Sequence, residues 1–281
     1  VNELLKVEDL VVRYGGMTAV DGMSMSIRAG EVLALVGESG CGKSSTARAV
    51  VGMERPAEGT VLFRGTAVPP LGLRRRRTEF TAIQMVFQDP NSSLNPRKRV
   101  GEQIADGVRA AQARGLNSAR PDSWLEAVGL QPEMTTRYPH QFSGGQRQRI
   151  AIARALAAKP DLIVADEPIS ALDASSQASV AAMMRRLCLE AGAGMLFISH
   201  DLSVVRLMAD RVMVMYRGSV VESGPTPLVW SEPVHPYTEA LLGAIPHPDG
   251  RGVLPAAPAA EAPEEWASTL PEALSRQVET R

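Results

Sequence analysis

Residues 37–44, GESGCGKS, stand between an apolar run, EVLALV, and a helix-forming one, KSSTARAVVG. A strand that turns into a helix through a loop of the pattern GxxxxGKS constrains the chain more than any other feature. It places the loop at the carboxyl end of a strand in an α/β sheet and points it at phosphate. Gly37, Gly40 and Gly42 let the backbone curl until its N–H groups and the helix N-terminus face phosphate oxygens. Lys43 is expected to reach the β and γ phosphates of a nucleotide, and Ser44 to offer its hydroxyl to Mg²⁺. Glu38, Ser39, Cys41 and Ser45 complete the nucleotide-binding stretch, Cys41 as a small filler rather than a redox switch.

A second piece of such a site ends the run DLIVADE, where Asp166 and Glu167 follow four apolar positions. A carboxylate at a strand's carboxyl end is expected beside the phosphate loop of a neighbouring parallel strand. There Asp166 would help hold the metal through water, and Glu167 would face the γ-phosphate as the base that activates water.

The organisation around these motifs is that of an α/β chain. The first sixty-five residues read as short strands (LLKVEDLVVRY, AVDGMSMSI, EVLALVG, GTVLFRG) with one helix after Gly42. From residue 89 to about 142 apolar residues recur at three and four with no strand between them. A helical subdomain is therefore expected to be inserted over about 89–158, taking in the helix that follows Ser143. After Ser143, helical patterns alternate with the apolar runs DLIVADE, MLFISH and RVMVMYRG, which implies a mostly parallel, buried sheet. The expected division is one domain over 1–245 and a Pro/Ala-rich extension over 246–281.

Composition narrows the partners. A formal net charge of -1 provides no global field toward nucleic acid, and an aromatic share of 4% leaves few stacking platforms. The arginine run at 74–77 reads as a solvated face. Cys41 and Cys188 are the only cysteines, too few for a four-cysteine metal site, and they suit a reducing cytoplasm. No stretch approaches eighteen uninterrupted apolar residues, and the N-terminal stretch does not read as a signal peptide.

Residues 142–156, FSGGQRQRIAIARAL, resemble the signature sequence of ABC ATPases, with Phe142 in place of the commoner leucine. Physically, Ser143, Gly144, Gly145 and Gln146 open a helix and offer a second phosphate cradle. The resemblance implies a P-loop NTPase fold of ABC type, ATP and Mg²⁺ as ligands, and two such domains paired head to tail so that each signature closes over the other's ATP. It also implies roles for Tyr14 (stacking on adenine), Gln88 (sensing Mg²⁺ and attacking water), Ser170 to Asp173 (a loop crossing the dimer interface) and His200 (bonding the γ-phosphate).

The segments VFQDPNSSLNPR, ADEPISALDASSQ and HPYTEALLGAIP look like the branch that imports peptides, nickel and related solutes. That likeness implies a second ATPase subunit as heterodimer partner, two transmembrane permeases, an extracytoplasmic solute-binding protein acting indirectly, and a peripheral place on the cytoplasmic face of the inner membrane. Some members carry a C-terminal cysteine cluster; this chain has no cysteine beyond Cys188, so it resembles the cluster-free partner. Two other readings stand beside this one: a soluble ABC ATPase acting on nucleic acid or ribosomes, and a non-catalytic ABC regulatory subunit.

Overall fold

The computed structural model describes residues 3–72, 76–170 and 172–245. The extension from 246, the first half of the arginine run (Arg74 and Arg75) and Ala171 lie outside the described residues.

Two sheets share the chain. Strands β1 (Glu3–Tyr14), β2 (Met17–Arg28), β4 (Glu58–Phe63) and β5 (Thr66–Ala67) form an antiparallel sheet in the order β2-β1-β4-β5. Strands β3 (Val32–Val36), β6 (Ile83–Val86), β7 (Leu162–Asp166), β8 (Gly194–Ile198), β9 (Arg211–Tyr216) and β10 (Ser219–Pro225) form the larger sheet, in the order β10-β9-β3-β8-β7-β6. Its strands pair in parallel from β9 through β6, and only β10 runs antiparallel, on β9.

The parallel strands are apolar on both faces because each face carries its own core. Along β3, Leu33 and Leu35 point into a cluster with Leu5, Leu10, Ile27, Val50 and Phe80, beneath the antiparallel sheet and helix α1 (Lys43–Val50). Val32, Ala34 and Val36 point the other way, into a cluster with Ile152, Leu156, Met184 and Val205. The same alternation runs through β7, β8 and β9: Val164, Leu196 and Met213 join the first cluster, and Ala165, Phe197 and Val212 the second.

Between β6 and β7 the described chain is helical. It runs through α2 (Pro90–Ser93), α3 (Val100–Gln112), α4 (Pro121–Ala127), two short 3₁₀ turns and α5 (Gly144–Ala157). Helix α3 packs on α5 closely enough that a Cβ on Gly107 would lie 2.5 Å from the carbonyl oxygen of Arg154. Buried Gln103 ties α3 to the preceding loop through the main chain of Asn95 and Lys98. Helices α6 (Ala174–Glu190), α7 (Leu202–Met208), α8 (Thr226–Ser231) and α9 (Pro236–Gly243) complete the described residues. No helix among the described residues is long and apolar enough to cross a membrane.

Candidate active site

Four adjacent parallel strands end at one edge, and each delivers one part of the site. β3 runs into the loop 37–42, β8 is followed by Ser199 and His200, β7 ends in Asp166 and Glu167, and β6 leads through Phe87 to Gln88. One expectation is corrected by this order. Asp166 does not lie on the strand next to the loop, because β8 pairs with both β3 and β7 and stands between them. Contact is made instead through α1, which packs against β7 and brings Ser44 to Asp166.

The loop has a backbone that only glycine allows at its tightest points. Gly37 has φ 146°, and a Cβ there would lie 2.1 Å from the carbonyl oxygen of Met215. Gly42, at the start of α1, has φ 110°, and its Cβ would fall 2.2 Å from the carbonyl oxygen of Ala19. The loop is thus pressed between β2 and β9. Two further bonds pin it: the Gly218 N–H donates to the Cys41 carbonyl at 3.1 Å, and the Glu38 N–H donates to the Tyr237 hydroxyl at 3.0 Å. Glu38, Ser39 and Gly40 form the exposed crest, while Cys41 is buried and its thiol is pushed up by that burial.

Lys43 is 5% exposed and coils its ammonium into its own loop, donating to the carbonyls of Gly37 and Glu38 at 2.7 Å each. A buried cation satisfied by two main-chain oxygens is already positioned, and it can exchange those partners for phosphate oxygens by a change in its flexible stem. Ser44 donates its hydroxyl to Oδ1 of Asp166 at 3.0 Å. Burial is the main force on the Asp166 carboxyl and raises its pKa, against the opposing Ser44 hydrogen bond. A hard cation would relieve that cost, and two oxygen donors at this spacing suit Mg²⁺ with phosphate and water completing its shell. Ser45, half-buried, follows on α1.

Glu167 is held in the left-handed region, φ 46°, with its N–H on the Ile198 carbonyl at 3.0 Å. This conformation costs a side-chain-bearing residue about 1–3 kcal/mol and is typical of functional positions. It turns the carboxylate toward two groups from neighbouring strand ends. Gln88 Nε2 donates to Glu167 Oε2 at 2.9 Å, and His200 Nδ1 lies 3.2 Å from the same oxygen.

The remaining predicted residues come from other segments of the chain. Tyr14 ends β1 in a hairpin, 36% exposed, available to lie against a flat ligand. Ser143 caps α5: its hydroxyl accepts the Gln146 N–H, and the Gln146 side chain accepts the Ser143 N–H. This capping box turns each side chain onto the other residue's main-chain N–H, while Gly144 is open to solvent and Gly145 faces Leu172. Ser170 donates to the Glu167 carbonyl, and Asp173 caps α6. Two contacts had no counterpart in the sequence reading. Gln148, buried on α5, donates to the Phe87 carbonyl at 3.3 Å, and Tyr237 grips the loop at Glu38.

Comparison with known proteins gives a consistent result. Residues 20–170 match the family model described as ABC transporter. The chain is 49% identical over 255 residues to the oligopeptide transport ATP-binding protein OppF of Bacillus subtilis (strain 168), covering 88% of this chain and 84% of that one. It is 47% identical over 236 residues to OppF of Escherichia coli (strain K12), covering 83% and 71%. Among solved structures, cbiO1 from Clostridium perfringens, part of the ABC transporter complex cbiONQ, superposes with a TM-score of 0.68 at 28% identity, over 83% of this chain and 92% of that one. The ATP-binding cassette MJ0796, a dimer in a post-hydrolysis state with ADP and Pi, gives 0.66 at 26% identity, over 79% and 98%.

Proposed function

The chain belongs to the ABC transporter family, and on that premise we propose that it is the ATP-hydrolysing subunit of an importer for peptides or related small solutes. The observation that carries the chemistry is the meeting of Gln88 and His200 on one oxygen of Glu167, next to the Ser44–Asp166 pair and the Lys43 loop. Both OppF relatives are oligopeptide transport ATP-binding proteins, which supports peptides as cargo.

In this reading ATP lies with its adenine against Tyr14 and its phosphates over residues 37–45. Lys43 leaves the carbonyls of Gly37 and Glu38 for the β and γ phosphates. Mg²⁺, when bound by Ser44, Asp166 and Gln88, supplies positive charge to the transferring phosphoryl group. Glu167 polarises a water in line with the γ-phosphate and takes up its proton, Gln88 orients that water, and His200 donates to the γ-phosphate.

The site is half of a pair. Ser143, Gly144, Gly145 and Gln146 serve the ATP held by a second, different ATPase subunit, whose own signature closes this one. Two permeases ride on the pairing cycle, a binding protein delivers solute to them, and the chain sits peripherally at the cytoplasmic face of the membrane. The domain spans 1–245, with the helical subdomain inserted over about 89–158 and the extension following from 246.

Purification of a tagged copy from its native membranes in mild detergent, followed by mass spectrometry, tests this assembly. Two permeases and a second ATPase are expected with it. Recovery of ribosomes or DNA in their place overturns the transporter reading.

A further inference from the structure

The segment 234–238 forms a buried polar chain that ends on the phosphate loop. Glu222 on β10 is fully buried, and its two carboxylate oxygens accept the N–H groups of Val234 and His235, each at 3.0 Å. Two main-chain donors satisfy a carboxylate whose burial would otherwise be costly, and in return the chain's turn into α9 is fixed. His235, also fully buried, caps α9 by accepting the Tyr237 N–H at Nδ1, 3.1 Å away. The Tyr237 ring, 1% exposed, packs on Tyr216 with centroids 4.5 Å apart. Its hydroxyl then accepts the Glu38 N–H at 3.0 Å. Burial pushes the phenol well above its ordinary range, so it stays a neutral hydroxyl across working pH.

The far end of this chain matters because of what Glu38 does. Its carbonyl accepts the Lys43 ammonium, so the residue is gripped on both sides, by Tyr237 at its nitrogen and by Lys43 at its oxygen. The bond to Lys43 is one of the two that phosphate must displace, the other being to the Gly37 carbonyl. During that exchange the Cys41 N–H still donates to the Glu38 carbonyl at 3.3 Å within the loop, and the Tyr237 hydroxyl and the Gly218 N–H on the Cys41 carbonyl tie the loop to the rest of the chain.

We propose that Tyr237 is a positioning residue for nucleotide binding: its hydroxyl, braced by Glu222 and His235, holds the phosphate loop in its binding shape when Lys43 lets go of the Glu38 carbonyl. The proposal rests on reading residues 37–44 as the nucleotide site.

The test is Tyr237→Phe in the full chain, which keeps the ring on Tyr216 and deletes only the hydroxyl. A fluorescent ATP analogue gives nucleotide affinity, and ATPase assays on the assembled transporter give KM and kcat. Tyr237→Phe is expected to raise both the analogue's Kd and the KM for ATP about tenfold, the worth of one partly buried hydrogen bond, with kcat within about twofold of the parent. Tyr216→Phe, which deletes the neighbouring hydroxyl and keeps both rings, leaves both constants unchanged. Should Tyr237→Phe fail to fold, Glu222→Gln loosens the same chain from its other end and is expected to raise Kd and KM in the same direction. Parental affinity in these variants, with binding abolished in Lys43→Ala, reduces Tyr237 to packing and overturns the proposal while leaving the site. Parental affinity in Lys43→Ala as well overturns the reading of the loop itself.

Discussion

The amide nitrogen of Gln88 lies 2.9 Å from Oε2 of Glu167, and the donor comes from the end of β6 while the acceptor comes from the end of β7. With His200 on the same oxygen at 3.2 Å, the carboxylate is held by its flanking strands before any substrate arrives. Glu167→Gln retains shape but cannot take a proton. Turnover is expected to fall about 10²- to 10⁴-fold with nucleotide affinity retained, read from phosphate release and nucleotide titration on the same preparation. Parental turnover in this variant excludes Glu167 as the base.

Asp166 predicts a stability effect that depends on pH. Its folded pKa is raised, chiefly by burial, so the protonated form is the one the fold favours. The contribution of this group is fully present below the pKa it has in the unfolded chain and is lost as pH rises through the raised folded value. Above that folded value the protein bears an ionised, buried carboxylate. Asp166→Asn is expected to melt higher than the parent near pH 7, with the gap closing in acid, while Mg²⁺-dependent turnover drops. Thermal melts between pH 4 and 8 check the first part; a gap that widens toward acid contradicts it.

Gly42 and Gly40 separate strain from collision. Both lie at positive φ, 110° and 84°, but a Cβ at Gly40 meets open space while one at Gly42 meets the Ala19 carbonyl and the Met215 side chain. Gly40→Ala should cost the roughly 1–3 kcal/mol of a forced backbone, and Gly42→Ala more, together with nucleotide binding. Denaturant unfolding of the two variants ranks them, and equal losses would remove the packing argument.

The capping box at α5 gives Ser143 two measurable roles. Ser143→Ala deletes a cap whose loss typically costs about 1 kcal/mol, visible in denaturant unfolding. Because the signature is assigned to the partner's ATP, the variant is expected to lower turnover of the assembled pair while the isolated chain still binds nucleotide on its own loop. Loss of nucleotide affinity in the isolated chain would contradict the head-to-tail assignment.

The sequence was most legible where chemistry and local geometry share a segment. The loop at 37–44 declares itself because glycines, lysine and serine must be contiguous to do their work, and the paired acids at 166–167 follow a strand whose apolar run is unmistakable. Parallel strands buried on both faces, such as VLALV, announce the sheet for the same reason. Strand order was less accessible. No local signal says that β8 inserts between β3 and β7, and the expectation that Asp166 sits on the strand beside the loop failed on that point. Contacts between distant segments were invisible altogether. Glu38 and Tyr237 are 199 residues apart, and Gln148 and Phe87 are 61 apart. HPYT carries part of the family resemblance, yet nothing in those four residues names a loop near the start of the chain as their partner.

The bond from Gln148 to the Phe87 carbonyl has a mechanical consequence. Phe87 is the residue before Gln88, and Gln148 rides on the helix that Ser143 opens. The helix proposed to meet the neighbouring subunit and the peptide before Gln88 are therefore joined directly. In the proposed pair, any movement of α5 on docking would pull on the backbone beside Gln88, so one linkage would time the partner's arrival and the setting of the water.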